Sequence, residues 1–187
     1  MTRASEAPPD AAQRPGYAVE ITGEGLKERL AEVYPKGLPN IYRMLSRNAQ
    51  VMGGLLSMKA HLAAGRLSEI ERSLVALEVA HHSGCKYCEA ALCHSATEEL
   101  GVPETMIAHA GTAELPADPG LAAIVRAARA LLEKRGQLGR AEMAEFAREG
   151  VDFDKILEII AVISEYTLAT YSANLDRTRI DPEYRQS

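Results

Sequence analysis

Apolar positions recur along most of this chain at three- and four-residue intervals, the spacing that lines one face of an α-helix, and nowhere do they alternate for long as a strand requires. The first such stretch predicts a helix over residues 25 to about 33, which Pro35, Gly37 and Pro39 interrupt. Ile41, Tyr42, Leu45, Met52, Leu55, Leu56 and Met58 then supply faces for packing, the methionines as gap-filling core. Ser68-Glu69-Ile70-Glu71 has the form of a capping box. A helix opens there and carries Ile70, Leu74, Leu77, Val79 and Ala80 to Gly84, a residue suited to the left-handed turn that ends a helix. A second helix is predicted from Cys85 to Leu100, where Gly101 stops it and Pro103 starts a short helical segment.

Residues 121–134, 140–148 and 152 to about 174 read as three further helices. The last is apolar on more than one face, through Ile156, Ile159, Val162, Tyr166, Leu168 and Tyr171, as expected of a central helix or a subunit interface. Glu158 and Glu165 break that run and argue against a membrane span. Residues 1–20, rich in Ala, Pro and Gly, read as a flexible arm, and residues 21–187 as one all-helical domain. The final dozen residues, with Arg177, Arg179, Asp181, Glu183 and Arg185, read as a solvated tail that could wrap a neighbouring subunit. No internal repeat is present.

Composition narrows the picture. A chain of 187 residues, 47% of them hydrophobic, can bury one sizeable core. It has no Trp and only two Phe, and Ala, Leu and Glu are abundant, which favours an all-α protein. A net charge of −5 leaves no broad basic face to neutralise phosphates, so neither nucleic acid nor an anionic membrane is an expected partner. No run reaches the roughly 18 consecutive apolar residues of a membrane helix, and the first fifteen residues lack the apolar centre of a secretory signal. A cytoplasmic protein is expected. Three cysteines cannot form a disulfide framework, and two of them at Cys-x-x-Cys spacing in a reducing compartment point to redox chemistry or to metal binding.

The redox reading rests on what a helix start does to sulfur. Unpaired backbone amides and the positive end of the helix dipole stabilise a thiolate, so Cys85-Lys86-Tyr87-Cys88 should hold one activated cysteine, and helix-start physics alone favours Cys85. A thiolate that attacks a peroxide becomes a sulfenic acid, and a second thiol one turn away can condense with it to a disulfide. Protons must also move, and Glu78, His81 and His82 are the nearest candidates. Glu78 and His82 are four apart and can pair, and on a regular helix Glu78 points within about 20° of the direction of Cys85. Apolar neighbours Leu77 and Val79 would bury Glu78 in part and suit it to proton exchange. Glu71 is most simply the capping-box residue, and Cys93 a small buried hydrophobe.

The stretch from Glu71 through Leu77-Glu78-Val79-Ala80-His81-His82-Ser83-Gly84 to Cys85-Lys86-Tyr87-Cys88, followed by a helix ending at Leu100-Gly101-Val102, resembles the alkylhydroperoxidase D group of the carboxymuconolactone decarboxylase family. The resemblance covers about residues 40–115 well and extends weakly through the 152–174 helix. It implies an oligomeric helical bundle without a cofactor. In it Cys88 meets the hydroperoxide, Cys85 is its disulfide partner, and an external dithiol or thiol protein resets the pair. The chain departs from the family motif at two places. Ser73 stands where the family has glutamate, and Leu92 where it has histidine. Counting back from Leu100-Gly101-Val102 indicates one inserted residue, which puts Cys93 in the histidine slot and His94 just beyond it. A regular helix would turn His94 away from Cys88, and a local bulge would restore it. The proton-handling candidates are therefore Glu78 with His81 or His82, and His94; without either, peroxidase activity is expected to be weak or lost.

Other classes compete with this reading. His81, His82, Cys85, Cys88, Cys93 and His94 fall within fourteen residues, and zinc accepts mixed Cys/His sets, but no second ligand pair exists and His61 and His109 are isolated. Cys93-His94 is only a stretched form of a haem attachment motif. Lactone decarboxylation, in the wider family's name, leaves the cysteine pair unexplained. A non-catalytic helical oligomer would account for the missing relay residues.

Overall fold

The computed structural model describes residues 28, 30–32, 34, 35 and 37–186. The expected arm, residues 1–20, lies outside them; of the helix expected at 25–33, the described Glu28, Leu30, Ala31 and Glu32 are helical. The chain is all-helical, with no strand among the described residues. Its helices are α1 (Asn40–Leu45), α2 (Ala49–Ala63), α3 (Glu69–His82), α4 (Lys86–His94), α5 (Glu104–Ile107), α6 (Pro119–Lys134), α7 (Arg140–Arg148) and α8 (Phe153–Asp176).

Local chemistry sets the helix ends. Ser68 caps α3 as predicted, its hydroxyl accepting from the Glu71 amide at 3.2 Å while Glu71 accepts from the Ser68 amide at 2.6 Å. Asp118 and Asp152 cap α6 and α8 through their side chains, and Pro119 occupies the first position of α6, where its missing N–H costs nothing. The helix predicted to run unbroken to Leu100 is divided: α4 stops at His94, and Ser95–Glu99 forms a π-helical turn in which the Leu100 amide donates to the Ser95 carbonyl at 3.2 Å. Such a widened turn is how a helix absorbs one extra residue.

Helices α3 and α8 form the centre. Every residue of α3 from Leu74 to Ala80 is buried, because α8, α4 and α6 pack around it. Helix α8 is two-faced. Ile156, Ile159 and Val162 enter the core with Val75, Ile124 and Leu131, whereas Phe153, Leu157, Ile160, Leu168, Tyr171 and Leu175 form an exposed apolar stripe. By length and composition this helix could cross a membrane; its inner face is instead a wall of the bundle core.

Of the charged residues in the last dozen, Arg177, Arg179, Glu183 and Arg185 are exposed as expected, and Asp181 is the exception. Asp181 is buried, and it accepts from the Tyr87 hydroxyl at 2.7 Å and the Asn40 amide at 3.0 Å. Tyr184, in the 3₁₀ turn Pro182–Gln186, packs edge-on against Tyr87 and tilted on His94. The C-terminus thus folds onto its own chain, over the start of α4.

Candidate functional site

The geometry of the thiols begins with Gly84. At the end of α3 the Cys85 amide donates back to the Ala80 carbonyl at 2.9 Å, a closure that needs the left-handed conformation Gly84 adopts at φ +59°. The chain then turns directly into α4 with Cys85 at its N-cap. The Cys85 sulfur accepts from the Cys88 amide at 3.2 Å, in the place a serine or aspartate oxygen usually takes. The two sulfurs are within disulfide-bonding distance, with Cα atoms 5.3 Å apart. Tyr87, between them, is pinned by the Asp181 carboxylate and by the Ile41 amide, which donates to its hydroxyl at 3.3 Å. Burial, with Asp181 adding to it, pushes the Tyr87 phenol well above its ordinary range, so the hydroxyl stays protonated and the tether holds.

The two cysteines differ in access. Cys85 is 0% exposed, whereas Cys88 borders a cavity of about 160 Å³. Leu92 and His94 from α4, Tyr42 from α1, Lys59 from α2, and Glu165 and Tyr166 from α8 line the same space, and Tyr184 of the C-terminal turn closes one side. An adjoining cavity of about 260 Å³ shares Lys59, Glu99, Glu165 and Tyr166 and extends to Arg72 and Ser73. Ser73 stands at the position of the resembled family's glutamate, and Glu165 brings a carboxylate to the same space from another helix.

Electrostatics distinguish the cavity's polar groups. Glu165 is 7% exposed; burial raises its carboxyl above the ordinary range, against the pull of Lys59 and Arg72. Lys59 Nζ donates to the Tyr42 hydroxyl at 3.2 Å. Burial also raises the phenols of Tyr34, Tyr42 and Tyr166, and pushes Tyr184 up to about 12.

Of the residues selected from sequence, the fold brings together Cys85, Cys88 and His94. Helix α4 is regular from Cys88 through His94 and the π turn only follows it, so no bulge turns the ring toward Cys88, yet the imidazole is among the groups that line the Cys88 cavity. Glu78 and His82 lie elsewhere. In place of the expected Glu78–His82 pair, the Glu78 carboxylate takes a two-pronged contact from Arg129, at 2.8 and 2.9 Å, and borders a separate cleft with His81 and His82. Arg129 also donates to the His109 and Glu114 carbonyls, tying α3 and α6 to the loop between α5 and α6. The physical reason is that α3 is surrounded. Its α6-facing side carries Glu78, and a buried carboxylate there finds the nearest guanidinium.

His81 pairs with Glu89, Nδ1 to Oε1 at 3.4 Å. Cys93 is half-buried and unbonded, its thiol pushed up first by burial and then by Glu89. Among the described residues no three His, Cys, Asp or Glu side chains converge as a metal site.

Sequence reasoning passed over Glu165 and Lys59. The signal was there for Glu165: an isolated carboxylate inside an apolar helical run is costly unless a cavity or partner receives it. Lys59 had none, since a lysine on an amphipathic helix is ordinarily solvated.

Residues 49–134 match the model of the carboxymuconolactone decarboxylase family. No curated protein matches the sequence. Among solved structures, an uncharacterized peroxidase-related protein from Silicibacter sp. TM1040 superposes with a TM-score of 0.74 at 18% identity, covering 89% of this chain and 90% of that one. A peroxidase-related protein from Ralstonia eutropha JMP134, described as an alkylhydroperoxidase AhpD core, gives 0.75 at 18% identity, with 86% and 87% covered. The debrominase Bmp8 gives 0.71 at 17% identity, with 87% and 89% covered. Residues 49–134 thus match the carboxymuconolactone decarboxylase family model, and the chain shares the helical fold of these solved structures.

Proposed function

We propose that this chain is a thiol peroxidase that reduces organic hydroperoxides through a Cys85–Cys88 dithiol/disulfide cycle. The observation that carries the reading is the unequal placement of two bonded sulfurs: Cys88 borders a partly enclosed, largely apolar cavity, and Cys85 is buried behind it at the N-cap. In the cycle the Cys88 thiolate attacks the terminal peroxide oxygen. An S–O bond forms, the O–O bond breaks, and the departing alkoxide takes a proton to leave as an alcohol. Cys85 then attacks the Cys88 sulfenic acid, forming the S–S bond and expelling water. Two exchange steps with an external dithiol or thiol protein restore both thiols.

The α4 dipole favours negative sulfur at this turn, and the Cys88 amide on Cys85 Sγ favours it on Cys85, the sulfur that attacks in the second step. The exposed stripe on α8 supports a homo-oligomer, since an apolar patch of that length on a monomer would otherwise face water. A cytoplasmic setting, where thiols are kept reduced, suits the cycle.

The test is a free-thiol count on reduced protein before and after one equivalent of cumene hydroperoxide. The three cysteines should fall to a single titratable thiol. Cys88→Ser should consume no peroxide, and Cys85→Ser should accumulate a sulfenic acid that a dimedone probe labels. Survival of all three thiols in the unaltered protein refutes the proposal.

A further inference from the structure

Peroxide cleavage needs a proton for the departing oxygen, and a side chain positioned in the partly enclosed Cys88 cavity can supply it in the transition state. The groups that share the Cys88 cavity and could carry one are few. Lys59 is already engaged with the Tyr42 hydroxyl. The phenols that line the space are raised by burial and are poor proton donors. Glu99 is exposed and accepts from the Ser95 hydroxyl at 2.5 Å, and His94 is half-buried with its ring packed on Tyr184.

Glu165 differs from all of these. It projects from the central helix, is 7% exposed, borders both joined cavities, and receives no hydrogen bond from a described side chain or amide. From these positions we infer that Glu165 is the proton carrier of the site. It accepts the Cys88 thiol proton as substrate enters and gives it to the alkoxide as the O–O bond breaks.

The inference rests on the peroxidase reading. Its balance is closed: Cys88–SH and Glu165–COO⁻ become Cys88–S⁻ and Glu165–COOH, which with ROOH give Cys88–SOH, ROH and Glu165–COO⁻. A carboxyl held above its ordinary range by burial suits both directions of transfer. The cations that face it are Lys59 from α2 and Arg72 from α3. His94 from α4, Glu69 from α3, Glu99 from the π turn and Tyr166 beside it are the other titratable groups of the two cavities, apart from the phenols already named.

The experiment compares unaltered protein with Glu165→Gln in two single-turnover reactions of Cys88 across pH, one with cumene hydroperoxide and one with iodoacetamide. Iodide leaves without a proton, so alkylation reports thiolate alone. Once divided by the alkylation rate, the peroxide rate of the unaltered protein should fall as pH rises through the Glu165 carboxyl. In E165Q it should be about 10²-fold lower or less, as for a lost general acid, with that alkaline limb gone. E165Q alkylated at pH 9 as fast as the unaltered protein shows the thiol site intact. Equal peroxide rates in the two proteins, or an alkaline limb that persists in E165Q, overturn the Glu165 assignment and leave the peroxidase reading standing. Alkylation without any peroxide reaction in the unaltered protein overturns both.

Discussion

The Glu78–Arg129 pair offers a clean test of what holds α3 in place, because sequence and structure assign Glu78 opposite roles. Replacing Arg129 with Met keeps most of the side-chain volume and removes the guanidinium. The Glu78 carboxylate, 6% exposed, then loses both of its contacts, at 2.8 and 2.9 Å. Stranding one member of a fully buried pair costs about 3–5 kcal/mol. Arg129 keeps a fifth of its surface in water, and water can reach the vacated position, so about 2–4 kcal/mol is expected. At roughly 2–4 °C per kcal/mol for a chain of this size, a loss near 3 kcal/mol lowers the melting temperature by about 6–12 °C.

Urea titration followed by circular dichroism at 222 nm gives the free energy. Removing the stranded charge as well, in E78Q/R129M, should recover much of the loss, since a neutral amide is far cheaper to bury. Peroxide consumption by folded E78Q should match the unaltered protein. A loss below about 1 kcal/mol in R129M, the range of an exposed ion pair, would refute the burial argument. A stable E78Q that no longer reacts with peroxide would return Glu78 to the chemistry.

Two further outcomes follow from the burial of Glu165 and the exposed face of α8. The Glu165 carboxyl is raised in the folded chain, so the folded state binds this proton more tightly than the unfolded one, and stability declines as pH rises from the ordinary carboxylate value of 4.5 through the raised one. Glu165→Gln should therefore stabilise the protein at pH 8, with the gain vanishing toward pH 4 in parallel melts; a gain independent of pH contradicts the linkage. The exposed stripe of α8 is tested by Leu157→Glu with Tyr171→Glu, which should shift sedimentation toward a monomer while leaving single-turnover peroxide reduction in place. An unchanged sedimentation coefficient would remove the stripe from the subunit contact.

Much of the fold was readable from local chemistry. The capping box at Ser68, the glycine at 84 and the apolar period of α8 each act within a few residues, so their effect on the backbone is written in the order of the side chains. The cysteine pair was readable for the same reason: three residues of helix set its spacing. His94 was half-readable. Counting indicates a surplus residue, the π turn at Ser95–Glu99 absorbs it after His94, and only the tertiary structure shows that the ring still borders the Cys88 cavity.

The errors came from side chains whose partners are distant in sequence. Glu78 was read toward the thiols because helix geometry relates it to Cys85, yet its actual partner is fifty-one positions away on α6. The charged residues near the C-terminus are exposed as their composition predicts, except Asp181, which is buried on Tyr87, ninety-four positions earlier. A local pattern fixes the side of a helix on which a residue lies, but not the element that covers that side.

Sequence by itself determined that this chain is helical, where most of its helices begin and end, and that its distinctive chemistry is a thiol pair at a helix start, because hydrogen bonding, capping and Cys-x-x-Cys spacing are short-range. Only tertiary structure decided which sulfur meets a cavity, which carboxylate shares it and which is locked in an ion pair. Those outcomes depend on how α8, α6 and the C-terminal turn pack around α3 and α4, and burial by distant segments is what sets both access and charge.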